Sequence, residues 1–283
     1  MEPKLIIHGG AGQLEGSIFT FLDYHNALLE IVGDAYAKLK VTNAREAVLH
    51  GIRLMEENPI FNAGKGARLQ KDGQVRMSAA IMNSKDNSFS GVINIQNVEH
   101  PIDVANILSG QKYTVLGGHE ATEFSRLNQF PYFNPITEHR LKEYKNALIG
   151  ESGTVGVVAL DQEGNICAGT STGGVGYEVP GRIGDSATVA GTYATKFAGV
   201  SCTGKGEHII NQAVAARVVT RVEDGMPLVD AVDKLFEEAN QFHYRFGLIS
   251  LDKNGNMVVG NTKNVDVLYA KHDASGAKTF YKN

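Results

Sequence analysis

Hydroxyl side chains flanked by glycines recur through the middle of the chain. Gly153-Thr154-Val155-Gly156 opens an apolar run, and Ser171-Thr172-Gly173-Gly174 closes the next one. Pro180-Gly181-Arg182-Ile183-Gly184-Asp185-Ser186 follows, then Ser201-Cys202-Thr203-Gly204-Lys205-Gly206-Glu207 at a strand-to-helix junction. Taken singly, each has an ordinary use: threonine is a strand former, Arg182 and Asp185 make a surface ion pair, and Thr203-Gly204 caps a helix. Their occurrence together within about fifty residues makes them the densest candidate constellation in the chain. Other chemistries lack their residues. The nine histidines form no H-E-x-x-H and no Cys/His ligand cluster, and His208 stands alone on a helix. Gly64-Lys65-Gly66 has neither the frame nor the Ser/Thr of a phosphate-binding loop. Gly10-Ala11-Gly12 misplaces the third glycine of a dinucleotide fingerprint, and there is no G-x-S-x-G.

The elements that must carry these residues are strands and hairpins. Thr154–Leu160 and Ile166–Ser171 flank Asp161-Gln162-Glu163-Gly164-Asn165, which reads as a hairpin that brings Thr154 beside Thr172. A related turn, Leu251-Asp252-Lys253-Asn254-Gly255-Asn256, joins 247–250 to 257–261. Leu5-Ile6-Ile7-His8 reads as a buried strand. Apolar spacing predicts a helix over 22–40, and a second one capped by Thr42-Asn43 and stopped at Asn58-Pro59. Strands are expected over 74–81 and 89–95, helices over 101–127, 206–224 and 227–240, and a mobile connector over about 128–152. Mixed helices and hairpins favour an α+β arrangement of antiparallel sheets covered by helices over a doubly wound parallel sheet.

Net charge is −4, with no basic excess to meet nucleic acid or an anionic membrane. Cys167 and Cys202 belong to no C-x-x-C pair and read as buried thiols. The opening apolar run is too short for a signal peptide and lacks a basic flank. Nothing approaches the ~18 apolar residues of a membrane span. The cytoplasm is the expected compartment.

In order, GTVG, STGG, PGRIGDS and SCTGKGE resemble the motifs of the plant-type asparaginase/isoaspartyl peptidase family. Ile7-His8-Gly9-Gly10-Ala11-Gly12 and Asn58-Pro59-Ile60-Phe61-Asn62-Ala63-Gly64-Lys65-Gly66 extend the likeness, which runs from residue 5 to about 262. The resemblance implies a four-layer αββα sandwich of the N-terminal-nucleophile (Ntn) hydrolases over residues 1–283. It implies self-cleavage between Gly153 and Thr154 into chains 1–153 and 154–283, with Thr154 the new N-terminus and nucleophile. Thr172 would orient its hydroxyl, and Thr203 with Gly204 would form an oxyanion hole. Arg182 would take the substrate α-carboxylate, and Asp185 its ammonium beside Gly206. Substrates would be L-asparagine and β-aspartyl (isoaspartyl) dipeptides, releasing L-aspartate. Backbone carbonyls of Met55, Glu56, Asn58, Phe61, Ala63 and Lys65 would wrap a structural Na+ or K+, with no cofactor for the chemistry and a dimer of αβ units as the assembly. A glycosylasparaginase-like amidase and an uncut, non-catalytic binder of aspartyl ligands are the alternatives. The chain departs from the family's usual pattern at Ser78 and Asn83, where acidic residues are common, and at Asn261-Thr262-Lys263-Asn264.

Overall fold

The computed structural model describes residues 1–11, 18–146, 153–263 and 265–282. Along the chain run β1 (Lys4–Ala11), α1 (Phe21–Val41), α2 (Ala44–Glu57), β2 (Met77–Asn83), β3 (Ser88–Ile95), α3 (Pro101–Ile107), β4 (Val115–Gly117), α4 (Gly118–Leu127) and α5 (Glu138–Lys145). Then come β5 (Val155–Leu160), β6 (Ile166–Thr172), β7 (Thr192–Ala194), β8 (Ala198–Gly204), α6 (Gly206–Gln212), α7 (Val214–Glu223), α8 (Leu228–Asn240), β9 (Phe246–Asp252), β10 (Met257–Asn261), β11 (Val267–Asp273) and β12 (Gly276–Lys282). One sheet has the order β12-β11-β1-β5-β6-β2-β3-β4, and the other β10-β9-β8-β7. Every named pairing is antiparallel except β3 with β4.

Strand alternation builds the layers. On β5, Val155, Val157 and Ala159 face α2 and join the core beneath α1, α2 and α3, while Val158 and Leu160 face the other sheet. Ile6, Ile166, Ala168, Ile249 and Leu251 complete the seam between sheets. Val200, Cys202 and Leu248 point outward to meet Val218, Val232 and Leu235 of α7 and α8. Three apolar seams between four layers make the αββα sandwich.

Local chemistry explains the edges. Asn43 caps α2 by accepting from Glu46 N–H at 3.1 Å. Both hairpin turns use one device: Asp161 and Asp252 accept through one carboxylate oxygen from backbone N–H groups two and four residues on, at 2.8–3.0 Å. Gly164 and Gly255 then take the left-handed backbone each turn needs.

Three expectations need correction. Residues 101–127 are not all helical, because Val115–Gly117 form a strand parallel to β3 after the chain reverses near Gly110. The stretch 128–152 contains α5, a helix in which only Arg140 is buried, so it offers no apolar stripe to read. Its residues 147–152 lie outside the described residues. The helix expected over 206–224 breaks at Ala213, whose left-handed backbone (φ 47°) turns α7 so that Ala215 and Ala216 N–H meet the Ala190 and Val189 carbonyls.

Candidate active site

The β5–β6 register pairs Val155 with Ser171 and Gly156 with Thr170, which sets Thr154 opposite Thr172. Both threonines are buried, and the Thr154 hydroxyl donates to Thr172 Oγ1 at 3.1 Å. Thr172 Oγ1 also accepts from Gly174 N–H at 3.1 Å, so its lone pairs are aimed at the Thr154 hydroxyl by the glycine turn. The peptide ahead of Thr154 is clamped. Asn62 N–H donates to the Gly153 carbonyl at 3.3 Å. Asn62 is itself held by its amide donating to the Gly174 carbonyl (2.6 Å), its carbonyl accepting from Gly173 N–H (2.8 Å), and its side-chain oxygen accepting from Arg68 N–H (2.9 Å). A β-carbon on Gly153 would fall 2.5 Å from that of Asn62, and one on Gly10 would fall 3.1 Å from Gly153 Cα. Glycine at both positions is what lets the strands close on the 153–154 bond.

Behind this bond runs a dry chain of hydrogen bonds between the sheets. His8 Nε2 meets Ser201 Oγ at 3.0 Å, Ser201 meets Thr170 at 2.7 Å, and Thr192 Oγ1 meets Thr170 at 2.5 Å and donates to the Ser186 carbonyl at 2.8 Å. Burial holds the His8 imidazole down at about pKa 3 against a weaker upward pull from the Thr154 backbone, so the ring is neutral. Gly156 leaves the space that Ser201 and His8 occupy.

Thr203, at the end of β8, pairs with Gly247, and Gly204 with Phe246. Gly204 has φ 129°, and a β-carbon there would strike the Phe246 backbone. The Thr203 hydroxyl is buried and has no partner among the described residues. An unpaired buried donor is costly unless a ligand oxygen meets it.

Thr154, Thr172 and Gly204 share one pocket with Arg76, Ser78, Asn94, Glu178, Arg182, Asp185 and Gly206. Thr203 does not reach its lining. Arg182 Nε and Nη2 donate to the two Glu207 oxygens at 2.8 and 3.0 Å, and Nη1 stands 3.6 Å from Glu178. This pairing, more than burial opposes it, drags the Glu207 carboxyl down to about 2. Asp185 is buried at the pocket wall. Burial lifts its carboxyl to about 7 in spite of Arg182, and its Oδ2 has no partner among the described residues. A side chain on Gly206 would lie 2.9 Å from Asp185 Oδ1 and 3.0 Å from Arg182 Nη2, so glycine keeps open the gap between cation and anion. An unpaired carboxylate oxygen beside a guanidinium suits an ammonium–carboxylate pair.

The loop after α2 is tied by its own backbone. Lys65 N–H donates to the Glu56 carbonyl at 2.7 Å, Phe61 N–H to Asn58 at 3.2 Å, and Gly66 N–H to Ala63 at 3.2 Å. Side chains at 64 or 66 would collide with the Glu56, Phe61 and Pro59 carbonyls. Carbonyl oxygens are the donors this loop could offer a hard monovalent ion, and those of Glu56, Asn58 and Ala63 already accept backbone N–H groups. Among the described residues no group of His, Cys, Asp or Glu side chains could hold a metal. The Glu56 carboxylate faces elsewhere, accepting from Ser171 Oγ (2.6 Å) and Ile102 N–H (3.2 Å), with His100 3.4 Å away. Burial raises its carboxyl pKa, only partly offset by His100 and Ser171.

Sequence reasoning gave no role to Asn62, Glu178 or Glu207, although Asn62 and Glu207 lie inside the quoted motifs. Of the two departures from acidic residues, Ser78 lines the pocket, whereas Asn83 ends β2 at a distance and caps the turn by accepting from Lys85 N–H. Asn261 and Thr262 tie down the chain after β10: Asn261 donates to the Val265 carbonyl, and Thr262 accepts from Phe246 N–H. Asn264 lies outside the described residues.

Comparison with known proteins agrees with this arrangement. A protein of Synechocystis named isoaspartyl peptidase/L-asparaginase is 44% identical, over 93% of this chain and 85% of its own. A plant-type L-asparaginase of Pyrococcus horikoshii is 37% identical over 94% and 96%. An isoaspartyl peptidase of Salmonella typhimurium is 32% identical over 90% of each chain. The family described as asparaginase matches residues 1–152 and 148–281. Across nearly its whole length, therefore, the chain belongs to the asparaginase family, whose fold is that of the Ntn hydrolases.

Proposed function

We propose that the chain is an autoprocessing threonine hydrolase that cleaves the β-amide of L-asparagine and of isoaspartyl dipeptides, releasing L-aspartate. The observation that carries this is the Thr154 hydroxyl on Thr172 Oγ1, at a peptide bond whose carbonyl is held by Asn62 N–H. In the uncut chain Thr154 Oγ1 attacks the Gly153 carbonyl. Asn62 N–H stabilises the developing oxyanion, the acyl group shifts from nitrogen to oxygen, and water splits the ester. Chains 1–153 and 154–283 result, still one Ntn-hydrolase domain.

Cutting creates the base. A hydroxyl needs a neighbouring proton acceptor, and the freed α-amine of Thr154 supplies one on the same residue. Its ordinary pKa is about 7.7–8.0, and a dry site lowers it toward neutrality. With Thr172 fixing its rotamer, Thr154 then attacks the substrate β-carbonyl. The unpaired Thr203 hydroxyl and the Gly204 N–H receive the oxyanion, with Thr203 acting beneath the pocket lining. Arg182 binds the α-carboxylate and Asp185 the ammonium, across the gap left by Gly206. Backbone carbonyls of Met55, Glu56, Asn58, Phe61, Ala63 and Lys65 hold a Na+ or K+ ion that stiffens the loop carrying Asn62.

The assembly is a dimer of αβ units. The compartment is the cytoplasm, which suits two buried free cysteines. Among the described residues no helix is long and apolar enough to cross a membrane. Intact masses of the wild type and of Thr154→Ala after incubation at neutral pH, with aspartate release from asparagine and a β-aspartyl dipeptide, test the reading. Two fragments meeting at 153/154 and aspartate release, both lost in the variant, are expected. One uncut mass and no aspartate would overturn it.

A further inference from the structure

The pocket lining holds two arginines, and the zwitterionic head of the substrate uses one. Arg182 lies with Asp185 and Gly206, while Arg76 stands one residue ahead of β2. The register places Ser78 opposite Thr172, and Arg76, two residues away, returns to the same pocket. The two guanidinium groups are mounted alike, each gripped by a carboxylate more exposed than itself. Arg76 Nη1 and Nη2 reach Asp72 at 3.1 and 2.9 Å, and the side chains are 19% and 35% exposed. For Arg182 and Glu207 the figures are 17% and 50%. Gln70 braces Arg76 from behind, accepting from Nη1 at 2.7 Å and donating to Glu178 at 3.1 Å.

The other polar side chains on that wall are committed. Ser78 Oγ accepts from Asn94 N–H at 3.1 Å, and the Asn94 amide donates to the Arg182 carbonyl at 3.2 Å. Glu178 accepts from Val175 N–H at 2.6 Å and from Gln70. With the head group on Arg182 and Asp185 and the β-carbonyl on Thr154, the leaving group is left to the wall of Ser78 and Arg76. For asparagine that group is ammonia. For an isoaspartyl dipeptide it is an amino acid whose carboxylate lies two bonds from the scissile nitrogen.

Resting on the function proposed above, we propose that Arg76 is a specificity residue that binds the α-carboxylate of the leaving amino acid and so favours isoaspartyl dipeptides with a free C-terminus. Arginine is suited to this because its planar fork holds one carboxylate at its edge while facing another. Ser78 matters by being small and uncharged: an acidic side chain there would set a negative charge beside the incoming carboxylate.

The test compares kcat/KM for β-aspartyl-leucine and for its C-terminal amide, on the processed protein and on Arg76→Gln and Arg76→Lys. The wild type is expected to favour the free acid by about tenfold or more, the scale of one charge-assisted hydrogen bond. Arg76→Gln should bring that ratio to about one, and Arg76→Lys should restore part of it. A wild-type ratio near one, or a ratio unchanged in Arg76→Gln while both rates fall together, would overturn the subsite and leave the hydrolase intact. Processed protein that releases aspartate from neither substrate would sink the parent function, and the subsite with it.

Discussion

Asparagine in place of Asp185 should flatten the pH dependence of stability. Burial lifts this carboxyl from an ordinary 3.8 to about 7 in the folded chain. That gap is about three pH units, and each unit separates the protonation states by about 1.4 kcal/mol. Because the folded value is the higher one, the folded protein keeps a proton that the unfolded chain has already lost between about pH 4 and 7. Stability therefore falls as pH rises through this window, and the full cost, at most about 4 kcal/mol, is present above pH 7. Asparagine has no charge to desolvate. The clean comparison is Asp185→Asn against its parent in the uncut Thr154→Ala chain, unfolded by urea at pH 5 and at pH 8. Between the two conditions, which span about two of those three units, the variant should gain about 2–3 kcal/mol on the parent. Equal pH slopes would refute the claim that Asp185 is strained by burial when no ammonium faces it.

Thr203→Val should lower kcat about a hundredfold with little change in KM, since it removes a donor used only when the oxyanion forms; steady-state kinetics on asparagine check this. Gly66→Ala drives a β-carbon against the Phe61 carbonyl, so Tm should drop by several degrees and lose its response to exchanging K+ or Na+ for choline. Thr170→Val breaks the buried chain between Ser201 and Thr192 and should cost about 1–3 kcal/mol in urea unfolding, whereas Thr170→Ser should recover most of it.

Readable features were local and periodic. A two-strand hairpin fixes its own register, so the Thr154–Thr172 juxtaposition followed from an apolar run, a turn of the form Asp-x-x-Gly-Asn and a second run. Helix α2 announced itself through Asn43 and Asn58-Pro59. What stayed hidden was non-local or polar. β4 is three residues long and exists because β3 offers a parallel edge. α5 is held by Arg140 donating to the Gly66 carbonyl at 2.6 Å rather than by an apolar face. The pairing of Arg182 with Glu207 joins residues 25 apart, and no spacing rule announces it. Ser78 and Asn83 look alike as departures from acidic residues, and only the sheet register separates the one at the pocket from the one at the strand's far end.

The order of the larger sheet bears on how the protein would die as well as how it works. β1 lies between β5 and β11, and β2 leans on β6, so segments from either side of residue 153 alternate across the sheet. After a cut at that bond, no cleft exists along which the fragments can part without breaking strand pairs. The uncut chain refolds as one molecule. The cut one, once melted, must find its other half, and its recovery becomes second order in concentration. The processed enzyme would thus persist by the slowness of its unfolding, and heated dilute samples would fail to return where the Thr154→Ala chain does.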